Sequence, residues 1–387
     1  MANHTNTKGV GTMAEPCGVE RAGARADAQV DRSDLDGPRA PRPDELDAVL
    51  DLVNNTFSPV GRTMGLEFPQ LLSDANLARL RVFVDPKTGL PVAHAGYVRC
   101  ELAVEGGRIP VAGLGSVCTD KAYRGMGLAS ELVESIMRQA VDEGLVMMLI
   151  SGGSNVYRRL GAVDTGDFLR VEANREQVSS LRNAAVDWPL HSAAAIRLAV
   201  EDDIPALASI YRREPVRYIR SVSDFRELAW QKPDVKRLGS MERTWVGGLV
   251  RDSLAYIIVR IRTADDGAIR LHVAEFAGAR CCVLQMIAHA CAEYDPDLLT
   301  IAVPVSDLEM GALLHQAGLT LHRVGLLGHT VMSLDDSALL KCVYPIMSER
   351  FGADWTAPNH PPAGPELIRW LFSDLGIPLP VPGLNYV

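Results

Sequence analysis

The chain has 387 residues, of which 47% are hydrophobic and 22% charged, and its formal net charge is -9. This length and composition are typical of a globular protein with two or three domains. The acidic balance excludes broad binding to nucleic acid, which needs a basic surface, so we expect no nucleic-acid partner. The seven cysteines show no CxxC spacing, which predicts reduced thiols and a cytoplasmic location.

The sequence carries no pattern for secretion, membrane insertion or metal binding. The start, MANHTNTKGVGTM, lacks the apolar core of a signal peptide, and no apolar run reaches ~18 residues, so we expect no membrane partner. Nine histidines are present, but none has a tight ligand spacing with a third ligand. We therefore predict no metal site.

The first part of the chain predicts an unstructured tail followed by helices and strands. Residues 1–42 are rich in Ala, Gly, Asp, Arg and Pro and are expected to be disordered. RPDELDAVLDLVNNTF has apolar residues on one helical face, which predicts a helix. Strands are expected at 79–84, at 92–99 and in GGRIPVAGLGSVCT.

A glycine-rich turn, CTDKAYRGMGLAS at 118–130, connects the last of these strands to an amphipathic helix. The buried-type strand LVMMLIS and a short helix in SNVYRRLGAV follow. A helix N-terminus behind glycines binds anions, because its amides are free and no Cβ blocks them. The dinucleotide motif is absent since Ser130 stands at its third glycine, and no P-loop lysine follows. A tight turn that merely packs a helix is the alternative.

The run Arg124-Gly125-Met126-Gly127-Leu128-Ala129 resembles the Arg/Gln-x-x-Gly-x-Gly/Ala loop of the GNAT acetyltransferases. The order strand, loop, helix, strand and YRRLG makes residues 43–175 similar to that family. The resemblance implies an α/β (α+β) GNAT fold, with a mixed central sheet flanked by helices. It also implies acetyl-CoA as co-substrate and no metal.

The resemblance implies roles for particular residues. Tyr157 would protonate the leaving sulfur of coenzyme A, although it could instead be a half-buried core tyrosine. Glu67 and Phe68 would line the acceptor pocket, and Cys118 is better explained as a core residue than as an acyl relay. The pyrophosphate and the pantetheine arm would be held by Arg124, Gly125, Met126, Gly127, Leu128, Ala129 and Ser130, and by Val117 and Thr119, respectively.

Residues 185–334 resemble a second, degenerate copy of the same fold. AAIRLAVEDDIPALASIYRR matches the first opening helix, but EFAGARCC lacks the glycine spacing, so we expect no coenzyme A there. A catalytic copy before a degenerate one resembles the Eis-like acetyltransferases. Residues 335–387 are too short for the sterol-carrier-like third domain of those enzymes and predict a short helical region with an extended tail.

The Eis-like resemblance also implies a role for the end of the chain and a homo-oligomer. The terminal carboxylate, at Val387, would act as the catalytic base, with a plain frayed terminus as the alternative. The sequence thus predicts an N-acetyltransferase that moves an acetyl group from acetyl-CoA to a primary amine of a small molecule, directly in a ternary complex. A non-catalytic acyl-CoA binder or sensor and a protein-lysine acetyltransferase remain as alternatives.

Overall fold

The computed structural model describes residues 31–59, 61–187, 196–230, 240–249, 252–325, 329–356, 358 and 360–385. Its contacts divide the chain into a unit that ends at Asp34 and a compact unit from Leu35 to Val387. The first unit contributes the short 3-10 turn Arg32–Asp34. Within the described residues, no helix combines the length and the apolar character needed to cross a membrane.

The first half of the compact unit begins with a strand that the sequence did not predict. This strand, β1, pairs antiparallel with β2, so the tail expected over 1–42 is wrong for residues 36–39. The elements of this half are β1 (Asp36–Arg39), α1 (Leu46–Phe57), α2 (Met64–Glu67), β2 (Leu80–Asp85), β3 (Leu90–Val104), β4 (Gly107–Thr119), α3 (Leu128–Asp142), β5 (Met147–Ser151), α4 (Asn155–Arg159), β6 (Phe168–Asn174) and α5 (Arg175–Asp187).

The second half has a similar order of elements, with two additional strands, β8 and β14, and two C-terminal helices. Its elements are β7 (Arg197–Leu198), α6 (Ile204–Tyr211), β8 (Val216–Tyr218), α7 (Val222–Ala229), β9 (Ser240–Leu249), β10 (Asp252–Thr263), β11 (Ile269–Gly278), α8 (Arg280–Tyr294), β12 (Leu298–Pro304), α9 (Leu308–Gln316), β13 (Leu321–Val324), β14 (His329–Ser333), α10 (Asp336–Phe351) and α11 (Gly364–Arg369).

The strands form two seven-stranded mixed sheets: the first takes β8 and β14 from the second half of the chain, and the second takes β6 from the first half. The first sheet has the order β1-β2-β3-β4-β5-β14, with β8 also paired to β3. The second has the order β13-β6-β12-β11-β10-β9-β7. The sheets therefore do not follow the boundary between the predicted segments 43–175 and 185–334, because β6, β8 and β14 each pair with strands of the other segment. Mixed sheets flanked by helices confirm the predicted α/β class.

Amphipathic helices cover the first sheet as their apolar periodicity predicts. Helix α3 turns one stripe inward, and its polar residues remain at the surface. Helices α10 and α11 pack over the lower ends of β3, β4 and β5 in one apolar cluster. The residues that α3 buries are Leu128, Leu132, Val133, Ile136 and Ala140.

Candidate active site

Strands β4 and β5 separate part of the way along the first sheet and leave an open cleft, called here the first cleft. Their parallel pairing ends at Leu114 and Ile150, whereas β4 continues to Thr119. On its other side β4 carries an extra residue against β3, since the register shifts between His94 and Gly96. Ser116, within this bulge, has a φ of 48°. A bulge bends its strand, and here it accompanies the departure of β4 from β5.

The glycine loop lies at the end of β4 and leads directly into α3. Gly125 and Gly127 have φ values of 85° and 79°, which a residue with a Cβ adopts only under strain. Gly127 immediately precedes α3, so no side chain caps the helix, and its first amides have no partner within the helix. The side chain of Leu128 is buried, so that residue offers an anion only its backbone.

The other loop residues are exposed or partly exposed, and one pantetheine contact is already occupied. Arg124 lies at the surface, where its Nε donates a hydrogen bond to the carbonyl oxygen of Thr119 at 3.2 Å. Thr119 and Val117 both belong to the part of β4 that has left β5. The backbone contacts expected of these two strand residues stay predictions.

Tyr157 lies on α4, which follows β5 on the other side of the first cleft. The residue is 7% exposed, and burial raises the pKa of its phenol to about 12, with a further contribution from the neighbouring Cys118 thiol. Burial likewise raises the pKa of Cys118 to about 12. The Cys118 thiol is therefore protonated at neutral pH and a poor nucleophile, which argues against an acyl relay.

His94 supports the bulge of β4 from the neighbouring strand. It is fully buried opposite Cys118, and its Nδ1 lies 3.0 Å from the carbonyl oxygen of Ser116. Burial lowers the pKa of His94 to about 4, so the ring is neutral at physiological pH. Its Nε2 has no hydrogen-bond partner among the described residues.

The C-terminal tail is an extended, proline-rich segment that lies against β4 and β5 of the first sheet. Leu379 and Leu384 are buried, and the tail ends in a 3-10 turn at Gly383–Asn385. The amide oxygen of Asn385 accepts a hydrogen bond from Arg220 Nε at 2.7 Å. Val387, the predicted base, lies outside the described residues.

A buried ion pair fixes the end of this tail to the second half of the chain. Arg220 binds Glu275 through two hydrogen bonds of 3.0 and 2.8 Å, and Tyr256 donates a third to the same carboxylate at 2.8 Å. The guanidinium also stacks over the Tyr211 ring at 4.3 Å. Because Arg220 and Glu275 are both at most 9% exposed, this anchor is rigid and shielded from solvent.

A cavity of about 280 Å³ opens between β3, the segment after α2, and α7 of the second half. We call it the acceptor cavity. Asp224 and Glu227 of α7 are its acidic groups, and Gln70 bridges the two halves through a 3.2 Å hydrogen bond to Glu227. Asn385 and Cys100 form part of its wall and also border a small cavity of about 20 Å³ beside the first cleft.

Glu67 and Phe68, expected in the acceptor pocket, do not line this cavity, and their role stays a prediction. Glu67 ends α2 and accepts a hydrogen bond from Thr63, and Phe68 packs against the apolar cluster under α1. The cavity wall begins at Gln70. Sequence reasoning missed the residues from 219 to 228, because a helix of the second half carries no local sign of what it faces.

Among the residues that the structure describes, no group of three or more His, Cys, Asp or Glu side chains is arranged to hold a metal ion. The glycine loop, the diverging strands and Tyr157 all lie in the segment from β4 to α4. The second half and the tail line the two cavities beside this segment.

Residues 38–163 match the family model described as the acetyltransferase (GNAT) domain, and this part of the chain is a GNAT acetyltransferase domain. The match covers β1 to α4 and therefore the whole of the first cleft. No curated protein sequence matches the chain.

Solved structures with the same fold include GNAT proteins and an Eis protein. A GCN5-related N-acetyltransferase from Anabaena variabilis is 14% identical, with a TM-score of 0.60 over 79% of this chain and 74% of that one. A second from Kribbella flavida is 17% identical, with a TM-score of 0.57 over 81% and 75%. Eis1 from Mycobacterium abscessus is 15% identical, with a TM-score of 0.51 over 77% and 74%. At such identities the likeness concerns the fold.

Proposed function

We propose that the first half of the chain transfers an acetyl group from acetyl-CoA to a primary amine of a small molecule. The observation that carries this proposal is the first cleft, with an uncapped helix N-terminus at one end and a buried tyrosine beside it. In this arrangement the amides after Gly127 bind the pyrophosphate, and the separated edge of β4 offers its backbone to the pantetheine arm.

The space beside the first cleft supports a short acyl group. The small cavity there, against the paired parts of β4 and β5, has a volume of about 20 Å³ and is closed by Leu149, Tyr218 and the proline-rich tail. A space of this size holds about one water molecule, and hence the methyl of an acetyl group rather than a long chain. The family supplies an acyl-CoA donor, and this packing favours acetyl-CoA within it.

The reaction forms a C–N bond and breaks a C–S bond. The neutral amine attacks the thioester carbonyl, the sulfur leaves as a thiolate, and the amine gives up a proton. The pKa of Tyr157, about 12, is higher than the pKa of a thiol, ~8.5. Transfer of the phenol proton to the thiolate is therefore uphill by about 3.5 pKa units, or about 5 kcal/mol. Tyr157 therefore donates a hydrogen bond to the departing sulfur rather than its proton.

The acceptor amine enters through the acceptor cavity. Asp224 and Glu227 are the acceptors for an ammonium ion in a wall that also carries Arg79, Arg99 and Arg220, and the cavity meets the small cavity beside the first cleft at Cys100 and Asn385. The carboxylate of Val387, within two residues of Asn385, is the predicted acceptor of the amine proton, and that role stays a prediction. The volume of the acceptor cavity, about 280 Å³, suits a small amine.

The decisive experiment is calorimetric titration of acetyl-CoA into the wild type, Gly125→Glu and Gly144→Glu. Both glycines have positive φ values, 85° and 77°, and open space where a Cβ would stand, so the two substitutions bring the same strain and charge. Gly144 follows the C-terminal end of α3, at the opposite end of the helix from the glycine loop. We expect Gly125→Glu to abolish binding, because a carboxylate there repels the pyrophosphate, and Gly144→Glu to bind normally.

Normal binding to folded Gly125→Glu would remove the loop from the coenzyme site. The second candidate, a non-catalytic acyl-CoA sensor, would give the same titration result, because it also binds the coenzyme. Turnover distinguishes the two candidates: release of thiol from acetyl-CoA on addition of amines indicates an enzyme.

A further inference from the structure

The second sheet contains a cleft of its own at the place that corresponds to the first. The parallel pairing of β11 and β12 ends at Val273 and Ile301, and both strands continue beyond it. Between their separated ends lies a cavity of about 390 Å³, which we call the second cleft. Its volume is within the range of small-molecule sites, so the degenerate copy has kept a binding space.

The position of a phosphate in the second cleft is already filled by a side chain. Glu214 accepts hydrogen bonds from the amide of Gly278 at 2.8 Å and from both terminal nitrogens of Arg280, at 2.9 and 2.6 Å. Arg280 is the first residue of α8, and its Nε donates to Asp307 at 2.8 Å. A carboxylate of the protein thus occupies the helix N-terminus, and a further anion would meet Glu214 and Asp307.

The wall of the second cleft is acidic. One guanidinium, that of Arg280, stands among five carboxylates and is shared by Glu214 and Asp307. Two further carboxylates are paired with arginines: Glu275 with Arg220, and Glu105 with Arg350. Glu309 is exposed at the rim. Even with these arginines counted, two negative charges are left over. The five carboxylates are those of Glu105, Glu214, Glu275, Asp307 and Glu309.

The rest of the wall is apolar. Val216, Phe276 and Ala302 contribute it from the sheets, and Pro380 and Val381 from the tail. A ligand that fits this wall has an apolar body, because such surfaces gain by exclusion of water. Its charged end must be positive, because the polar end of the cavity is rich in hydrogen-bond acceptors and in negative charge.

We propose that the second cleft binds a small organic cation, an ammonium ion that carries an apolar chain or ring. The ammonium group lies among Glu309, Asp307 and Glu214, and the apolar body lies against Phe276 and the tail. This site is distinct from the acceptor cavity and requires no coenzyme. Its failure would therefore leave the proposed acetyl transfer untouched.

The test is calorimetric titration of three matched probes into the full chain without coenzyme. The probes are 4-phenylbutylamine, the uncharged 4-phenylbutanol and the anionic 4-phenylbutyrate. We expect the amine to bind and the other two to bind at least about tenfold more weakly, since only the amine is complementary in charge. Equal binding of the alcohol or tighter binding of the acid would overturn the proposal.

Substitutions locate the bound amine. Glu309→Lys changes the rim by two charges and should weaken binding about tenfold. The control, Asp265→Lys, makes the same change in the exposed turn before β11, at the other end of that strand, and should leave binding unaltered. Ala302→Phe fills the cavity and should abolish binding. If Ala302→Phe does not fold, the Glu309→Lys comparison still decides.

The amine could also enter the acceptor cavity, and one further variant separates the two sites. Asp224→Asn removes a carboxylate of the acceptor cavity and leaves the second cleft intact. Binding that is lost in Asp224→Asn but unchanged in Glu309→Lys would assign the amine to the acceptor cavity and overturn the proposal. We expect the reverse pattern.

Discussion

Replacement of Tyr157 by phenylalanine tests the mechanism most directly. The substitution removes one oxygen atom from a ring that is 7% exposed, and the ring itself can remain in place. The phenol oxygen has no hydrogen-bond partner among the described residues, so little folding stability depends on it. Any loss of activity therefore reports on the reaction and not on the fold.

The expected loss follows from the role of Tyr157 as a hydrogen-bond donor. Removal of one donor that stabilises a developing negative charge costs about 10²–10³ in turnover, or about 3–4 kcal/mol. The affinity for acetyl-CoA should not change, because the pyrophosphate is held by the loop at Gly125 and Gly127. The pKa of about 12 adds a second expectation: wild-type turnover should show no fall from phenol ionisation between pH 8 and 10.

The assay is thiol release from saturating acetyl-CoA with an accepted amine, followed from pH 6 to pH 10 beside a binding titration. Tyr97→Phe serves as the control, since it removes a phenol oxygen that donates to Glu143 at 2.9 Å on the opposite face of the sheet. Turnover of Tyr157→Phe within twofold of the control would refute the role. A basic limb near pH 10 that is absent from Tyr157→Phe would refute the raised pKa.

Two predictions concern stability. Glu275→Gln leaves the buried guanidinium of Arg220 without its carboxylate and should lower the free energy of unfolding, measured in urea, by about 3 kcal/mol. The control, Glu242→Gln, affects a partly exposed pair with Arg260 and should cost less than about 1 kcal/mol. Equal losses in the two variants would contradict the role of the buried pair as an anchor. The pKa of His94 is about 4 in the folded protein, against ~6.5 in the unfolded chain. The free energy of unfolding should therefore be constant with respect to this group above pH ~6.5 and should fall by up to about 3 kcal/mol as the pH is lowered to about 4. His94→Asn should abolish this loss, and an unchanged slope of stability against pH would contradict it.

The site could be predicted from the sequence where its determinants are local. The loop from Cys118 to Ser130 combines a strand end, two glycines and a helix start within a few residues, and each of these follows from backbone sterics and apolar periodicity. Its position at the end of β4, before α3, follows the same local order. The GNAT class was predicted from that run and is confirmed by the family match.

Features that depend on pairing between distant segments were not predictable. The strand β1 has the sequence DGPR, which has low strand propensity, and it exists because β2 offers an edge to pair with. The positions of β6, β8 and β14 have the same origin, since each pairs with a strand that lies far from it along the chain. The acceptor cavity depends on α7, which lies about 150 residues along the chain from the segment that it faces.

The tail links the two clefts physically. Pro380 forms part of the wall of both, and Asn385 is held by Arg220, whose partner Glu275 also lines the second cleft. Arg220 in turn positions the end of the tail beside the acceptor cavity, so Glu275 connects the wall of the second cleft to the tail. In the second sheet the carboxylate of Glu214 occupies the N-terminal end of α8, and the charged wall beside it contacts the same tail that borders the first cleft. The tail is therefore the element through which the proposed cation site and the proposed acetyl-transfer site share a wall.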